Sequence, residues 1–216
     1  MTAYLFYDCE IIKAIPDSKS RLEGIKYCQG WTDHSNMGIS VISYCQLLSG
    51  ADNPDMILND VPSFTSLSIN ICSTNYIIGD SYGLQAFATL AKHHKMVGFN
   101  SRMFDDKLMA ANGVNIQTEY DLLEEIRWAA YGSINYQDAP QGSSYKLAAV
   151  AEANNCRKTG SGENAAIQWQ NGNHREVIDY CCNDSSISVK LLALGLHGRL
   201  IDPNTGKLLQ LRDLPT

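Results

Sequence analysis

The chain has 216 residues, enough for one domain with a buried core, and its 44% hydrophobic and 19% charged residues are typical of globular proteins. Its formal net charge of −6 argues against a protein that coats duplex DNA through phosphate contacts, although divalent cations can invert the field of a carboxylate cluster. No apolar run approaches the ~20 residues that cross a bilayer, and the N-terminal segment lacks the basic region of a signal peptide. We therefore expect an intracellular, cytoplasmic protein with no membrane partner.

The first half of the chain is predicted to be rich in strands, because it contains several short apolar and β-branched runs. In chain order the predicted strands cover residues 3–9, 37–47, part of 67–79, 96–99 and 116–120. A helix over residues 81–94, capped by Asp80 or Ser81, precedes the fourth strand, and a helix over about 103–111 follows it.

Helices dominate the second half. Asp121 is predicted to cap a helix that runs to about residue 130, and Ser143 or Ser144 to begin another near residues 145–154. The polar segments 132–144 and 157–164 are predicted to be loops. The last long helix is predicted over about 174–194, and a turn around residues 202–206 predicts a hairpin near the C-terminus.

This order of elements favours an α/β domain whose sheet begins antiparallel and ends parallel. We expect a single domain over residues 1–216, with the C-terminal hairpin at about 199–211 as an appendage and no polymerase domain within these residues.

The cysteines are odd in number and none are spaced C-x-x-C, which disfavours both a disulfide framework and a structural zinc site. We expect reduced and mostly buried thiols, with the adjacent pair Cys181 and Cys182 in a helix and not acting as ligands. The seven residues are Cys9, Cys28, Cys45, Cys72, Cys156, Cys181 and Cys182.

Two carboxylates stand near the end of the first predicted strand. Asp8 and Glu10 are two residues apart, so their side chains share one face of a strand. Two adjacent anions repel each other unless a cation lies between them, so the pair suits a metal ion. Considered alone, the pair is more typical of a solvated strand end.

Two further motifs carry carboxylates. Asp105 ends the motif N-x-x-x-F-D, which begins at Asn100, directly after the apolar strand 96–99; alternatively Asp105 stabilises the dipole of the helix that begins there. Tyr180 and Asp184 are four residues apart on the last long helix and therefore share a helix face. Tyr180 considered alone is also typical of a core tyrosine.

In this order the three motifs resemble the DEDD exonuclease superfamily, and in particular the proofreading exonucleases of family-B DNA polymerases and their stand-alone homologues. The resemblance extends from Tyr4 to about Leu194 and includes residues 37–41, 97–100 and 145–152. Asp179 stands where the histidine branch of the superfamily has its histidine, so the tyrosine branch fits better. The resemblance implies a ribonuclease-H-like fold, with a mixed central sheet flanked by helices.

The resemblance also implies an activity: hydrolysis of single-stranded DNA from its 3′ end, which releases nucleoside 5′-monophosphates with the help of two divalent cations, Mg²⁺ or Mn²⁺. Asp8 would bridge both cations. Glu10 and Asp184 would help to hold the cation that carries the attacking water, and Asp105 would serve the other. Tyr180 would orient that water or help to deprotonate it.

Candidates for substrate contacts are less well defined. Met103 and Phe104 are placed to stack on a nucleotide, although Phe104 is equally compatible with core packing. Asn100 either contacts the nucleotide or caps the helix. Basic residues that could meet phosphates, or simply lie in solvent, are Arg102, Lys146, Arg157 and Lys158.

Three alternatives remain open. The same carboxylates would serve an exoribonuclease, because they do not distinguish the two sugars. An endonuclease or resolvase could share the fold and the carboxylates. A nucleic-acid-binding module without activity is an alternative of another class. For an exonuclease, a replication, repair or recombination protein is a possible delivering partner, which the acidic balance of the chain favours.

Overall fold

A computed structural model describes residues 3–16, 21–49, 69–71 and 73–216. In chain order the strands are β1 (Ala3–Ile11), β2 (Ile39–Ser49), β3 (Ile69–Ile71), β4 (Asn75–Ile78), β5 (Lys95–Gly98), β6 (Thr118–Asp121), β7 (Leu200–Ile201) and β8 (Leu208–Leu209). The helices are α1 (His34–Met37), α2 (Ser81–Ala91), α3 (Asp105–Ala111), α4 (Leu122–Tyr131), α5 (Leu147–Ala153), α6 (Gly162–Gln170) and α7 (His174–Leu196). Within the described part of the chain, no helix is long and apolar enough to cross a membrane.

The main sheet has the order β3-β2-β1-β5-β6, and β4 also pairs with β2. β2 runs antiparallel to β1, β3 and β4, whereas β5 runs parallel to both β1 and β6. The prediction of a sheet that begins antiparallel and ends parallel is therefore confirmed. The parallel half brings the carboxyl ends of β1 and β5 to the same edge of the sheet, which is where this arrangement commonly places a binding site.

β1 is the central strand of the main sheet, and both of its faces are covered. Its run of apolar residues suits that position. Tyr4 and Phe6 belong to a core that α4, α5 and α7 cover on one side of the sheet. Leu5 and Tyr7 point to the opposite side, where α2 and α3 pack. Helices thus flank the sheet on both faces.

Helix caps confirm two of the local predictions. The Asp80 carboxylate accepts a hydrogen bond from the Gly83 N–H at 2.8 Å, at the start of α2. Asp121 caps α4 in the same way, with the N–H groups of residues 123 and 124. The cap predicted for α5 is wrong, because α5 begins at Leu147 after Lys146, and the Ser144 N–H bonds to Asn204 instead.

Three further elements differ from expectation. The segment 67–79 contains two strands, β3 and β4, with residues 67, 68 and 72 outside the described residues. α1 lies in the connection before β2 and was not predicted. α6 begins at Gly162, inside the segment predicted to be a loop, because the start of the helix is rich in glycine and serine and its buried surface is formed by small residues such as Ala165 and Ala166.

The predicted C-terminal hairpin is formed by β7 and β8, which pair antiparallel. Leu200, Leu209 and Leu211 are buried in the same core as α7. The six described cysteines are free thiols, of which Cys156 and Cys182 are half-buried and the others buried; Cys72 lies outside the described residues.

Candidate active site

Asp8 and Glu10 lie near the carboxyl end of β1, where they are paired with Ser43 and Val41 of β2. Asp8 is half-buried and Glu10 is 7% exposed. The two-residue spacing places both carboxylates on one face of the strand, as the sequence predicts. Neither residue is at a freely solvated strand end, so the alternative of a solvated pair does not describe this arrangement.

Asp105 approaches the carboxylates of β1 from the turn that follows β5. That strand ends at Gly98, where a side chain has no room because a Cβ atom would lie 1.8 Å from the Ser101 Oγ. The following turn begins α3 at Asp105, which is buried, and its Oδ1 accepts a hydrogen bond from the Cys9 N–H at 3.1 Å. Asp105 is thus attached to the backbone between Asp8 and Glu10.

The neighbouring Asp106 faces a different environment. It accepts hydrogen bonds from the Tyr7 hydroxyl and from both the N–H and the Oγ of Thr118, the latter two at 2.9 and 2.7 Å. These contacts connect β1, α3 and β6. Asp106 therefore serves the packing of the sheet, whereas Asp105 points toward the carboxylates of β1.

Helix α7 carries Tyr180 and Asp184 to the other side of the carboxylates. The Ser43 hydroxyl of β2 donates to the Cys181 carbonyl at 2.9 Å and lies 2.6 Å from the Ser185 hydroxyl. These buried contacts fix the position of the helix against the sheet. Asp184 is 5% exposed and Tyr180 is 9% exposed.

Lys158, in the loop before α6, contacts both functional groups of α7. Its ammonium group forms an ion pair with the Asp184 Oδ2 and donates to the Tyr180 hydroxyl at 2.9 Å. The Lys158 side chain is 18% exposed, so it is neither a simple surface charge nor free to follow a phosphate backbone. Sequence reasoning had no signal for this contact, because it depends on how the loop folds over α7.

The carboxylates of the cluster are removed from water and lie close to one another, and both effects shift their pKa values. Burial, together with the charge of Asp184, raises the pKa of Asp8 to about 7. Burial and the charge of Asp8 raise the pKa values of Glu10 and Asp105 well above their ordinary range. Burial also raises the pKa of Asp184, while the charge of Lys158 lowers it.

This cluster fits divalent cations. When ionised, its four carboxylates carry more negative charge than Lys158 neutralises, and the Asp184 Oδ1 is buried without a hydrogen-bond partner. Carboxylate oxygens are the ligands that Mg²⁺ and Mn²⁺ prefer. A group of possible ligand atoms from Asp8, Glu10 and Cys181 lies within 4.8 Å of one another. The proximity of Cys181 to the carboxylates was not expected, since the sequence predicted only a helical residue.

An aromatic surface lies at the start of α3, where Phe104 directly precedes Asp105. The Phe104 ring packs edge-on against Trp31 and His34, with centroid separations of 6.1 and 5.7 Å. Trp31 is 63% exposed and Met103 is 59% exposed, whereas Phe104 is half-buried. The structure thus leaves Met103 accessible and gives Phe104 a packing role. Trp31 was not singled out by sequence, because it lies far from the carboxylate motifs in the chain.

The remaining candidates for substrate contact differ in their surroundings. Asn100 adopts a left-handed conformation with φ 62°, and its N–H donates to the Asp121 carboxylate at 2.9 Å. It does not cap α3, which follows Phe104 without any side-chain cap, so that alternative is wrong. The Arg102 guanidinium is tied to the carbonyl of Thr118 and to Glu124. Lys146 and Arg157 are exposed.

No protein-family model and no curated protein matches this chain. Among solved structures, the family B DNA polymerase from the hyperthermophilic archaeon Pyrobaculum calidifontis aligns with 95% of this chain, at 14% identity and a TM-score of 0.54. E. coli Exonuclease I in complex with a dT13 oligonucleotide aligns with 90% of this chain and 44% of its own, at 11% identity and a TM-score of 0.39.

The chain spans 26% of the length of that polymerase. The alignment covers 95% of this chain, whose described residues form the mixed sheet and its flanking helices. The chain therefore has an α/β fold of the ribonuclease-H-like type, as the resemblance of its motifs implies.

Proposed function

We propose that this chain is a metal-dependent 3′→5′ exonuclease of the tyrosine branch of the DEDD superfamily, acting on single-stranded DNA. The observation that carries the proposal is the convergence of Asp8, Glu10, Asp105 and Asp184. These four carboxylates come from three distant segments of the chain and meet at one edge of the sheet. Gathering so many buried anions is costly unless cations occupy the site.

In this proposal Asp8, Glu10, Asp105 and Asp184 hold two divalent cations. Such a pair would supply a nucleophilic water and stabilise the charge that develops on the attacking and leaving oxygens of the phosphodiester. The charge of Asp8 acts on both Glu10 and Asp105, and the charge of Asp184 acts on Asp8, which suits a bridging ligand. The hydrogen bond from the Cys9 N–H orients Asp105, and such contacts to ligand side chains fix their direction.

Tyr180 has a role as a hydrogen-bond donor. Burial, together with the charges of Glu10 and Asp184, raises the pKa of the Tyr180 hydroxyl far above its ordinary value. The hydroxyl therefore stays protonated and is unsuited to act as a base. It can donate a hydrogen bond to the attacking water or to a phosphate oxygen. Lys158 holds that hydroxyl in position and neutralises one oxygen of Asp184.

The substrate is proposed to enter across the aromatic surface formed by Trp31, Met103 and Phe104. Base stacking on such side chains tolerates any sequence and does not require a basic surface. That mode of binding agrees with a chain whose formal net charge is −6. We also propose that a partner from replication, repair or recombination helps such an acidic protein to reach DNA.

The test is a degradation assay with 5′-labelled linear single-stranded DNA, circular single-stranded DNA, blunt duplex DNA and RNA of the same sequence, each with Mg²⁺, Mn²⁺ or EDTA. We expect a ladder of shortened products from linear single-stranded DNA that EDTA and Asp8→Asn abolish. The matched control is Asp179→Asn, because Asp179 lies on α7 beside Tyr180 but its exposed carboxylate pairs with Arg175.

Each other outcome identifies an alternative. Faster shortening of RNA would make the chain an exoribonuclease. Cleavage of the circular substrate would indicate an endonuclease. Binding of single-stranded DNA without cleavage, with either cation, would favour the inactive binding module.

A further inference from the structure

Among the described thiols, Cys181 stands out because it faces the carboxylates of β1. Its Sγ lies 3.7 Å from the Asp8 Oδ2 and 3.2 Å from the Ser43 Oγ, and the side chain is completely buried. Within the described residues, Asp8, Glu10 and Cys181 form a group whose possible ligand atoms all lie within 4.8 Å of one another. This ligand set contains two oxygens and one sulfur.

The separation between the Cys181 Sγ and the Asp8 Oδ2 matches that of two ligands on a tetrahedral zinc ion. Zn–S bonds of about 2.3 Å and Zn–O bonds of about 2.1 Å place sulfur and oxygen ligands about 3.6 Å apart around such an ion. The observed 3.7 Å between the Cys181 Sγ and the Asp8 Oδ2 agrees with that separation.

Asp184 offers a fourth possible ligand, which would be the third oxygen of the set. Asp184 follows Cys181 by three residues on α7, so both side chains share a helix face. The Asp184 Oδ1 is buried and has no hydrogen-bond partner, although the Oδ2 is paired with Lys158. This unpaired buried oxygen is an independent sign that the site is built to receive a ligand, because buried polar atoms are normally hydrogen-bonded.

We propose that Asp8, Glu10 and Cys181 give this site a second, inhibitory binding mode, in which a thiophilic divalent cation such as Zn²⁺ is held by two carboxylates and one thiolate. Mg²⁺ is a hard cation that coordinates oxygen ligands and not sulfur, whereas zinc and cadmium bind thiolates readily. When the metal–sulfur bond forms, the thiol proton leaves to solvent, and no oxidation or reduction takes place. The inhibitory consequence rests on the proposed function, since the trapped ion would displace a catalytic cation.

The test begins with binding alone. The reduced, metal-stripped full chain is titrated with Cd²⁺, and the sulfur-to-cadmium charge-transfer absorption in the ultraviolet reports a metal–thiolate bond. The wild type and Cys182→Ser are expected to gain this absorption with saturation at one ion. Cys181→Ser is expected to lose it. Cys182 is the matched control because it is the neighbouring thiol, half-buried on the same helix.

Two further variants show whether the carboxylates take part. Asp8→Asn and Glu10→Gln retain Cys181 and are expected to weaken Cd²⁺ binding at least about tenfold, as the loss of a metal ligand implies. Circular dichroism shows whether Cys181→Ser folds. If it does not, the two carboxylate variants still test whether Cd²⁺ binds at this site. An absorption that persists in Cys181→Ser, or that is unchanged in both carboxylate variants, would overturn the inference.

The regulatory consequence is measured separately. At fixed Mg²⁺, the Zn²⁺ concentration that halves the nuclease rate is expected to rise about tenfold in Cys181→Ser and to stay unchanged in Cys182→Ser. Equal zinc sensitivity in both variants would contradict the inhibitory mode. Cadmium binding without any nuclease activity would refute the proposed function and leave the binding site intact, whereas nuclease activity without cadmium binding would refute this inference alone.

Discussion

The two oxygens of Asp184 differ in environment, and this difference defines the chemistry of the site at the scale of single residues. The Oδ2 is paired with Lys158, whereas the Oδ1 is buried without a partner. Lys158 also holds the Tyr180 hydroxyl. One lysine thus fixes the two groups that α7 contributes, so its effect on activity should exceed that of a surface charge.

Lys158→Ala is expected to lower kcat by about 10- to 100-fold with a smaller change in KM, as happens when a residue that orients a metal ligand is lost. Lys158→Arg retains the charge and should recover part of the rate. Steady-state kinetics on linear single-stranded DNA measure both parameters. Lys146→Ala is the control because that lysine is exposed. An unchanged kcat in Lys158→Ala would show that Lys158 does not position Asp184 and Tyr180.

The raised pKa of Asp8 predicts a pH dependence of stability in the absence of metal. Burial raises this pKa to about 7 in the folded state, whereas aspartates of the unfolded state titrate near pH 4. Between about pH 4 and pH 7 the folded state therefore binds more protons than the unfolded state. The stability that protonation of Asp8 contributes is therefore present at low pH and is lost as the pH rises toward 7. In EDTA, the difference in thermal midpoint between Asp8→Asn and wild type should grow in favour of the variant over this range. A constant difference would contradict the prediction.

At the scale of elements, the short connections around the sheet edge determine what the substrate meets. The segment before β2 brings Trp31 against Phe104, which directly precedes α3 and its first residue Asp105. An exposed tryptophan fixed by an edge contact is a suitable stacking surface. The strand ends position the carboxylates, and these connections supply the surface beside them.

Trp31→Ala is expected to raise KM for single-stranded DNA by about 5- to 150-fold, with little change in kcat, because loss of one stacked base costs about 1–3 kcal/mol. Tyr82→Ala provides the control, since Tyr82 is an aromatic residue of α2 that is 84% exposed. Equal KM values in the two variants would exclude Trp31 from substrate binding.

At the scale of the whole molecule, local signals were enough to predict much of the fold. β1 and β5 are short apolar runs, and Asp80 and Asp121 cap helices through their own neighbours in sequence. The carboxylate motifs could be recognised in the same way, because each is confined to a few consecutive residues.

Features that depend on distant segments could not be predicted in this way. The contact of Lys158 with Asp184 joins residues of two elements, and the approach of Cys181 to Asp8 depends on how α7 lies across the sheet. α6 was missed because it buries small residues, which give a weak helical periodicity. Tertiary packing, which the sequence pattern does not contain, decides the contacts of Lys158 and Cys181.

The C-terminal hairpin provides a test of how far the core extends. Leu211 is 3% exposed and lies in the same core as α7, whereas Leu208 is 65% exposed. Leu211→Ala is expected to cost about 2–5 kcal/mol of unfolding free energy, with a single transition in urea. Leu208→Ala, the control, should change it by less than about 0.5 kcal/mol. A separate early transition for the hairpin in the wild type would show that it unfolds independently of the main core.

The chemistry assigned to the carboxylates is tested most directly by identifying the first product. A linear single-stranded DNA whose 3′-terminal nucleotide carries an internal label is incubated with Mg²⁺, and the released label is separated by chromatography. We expect a nucleoside 5′-monophosphate from the wild type and from Asp179→Asn, and no release from Asp184→Asn or in EDTA. Release of a 3′-monophosphate, or equal release by Asp184→Asn, would contradict two-metal hydrolysis at these carboxylates.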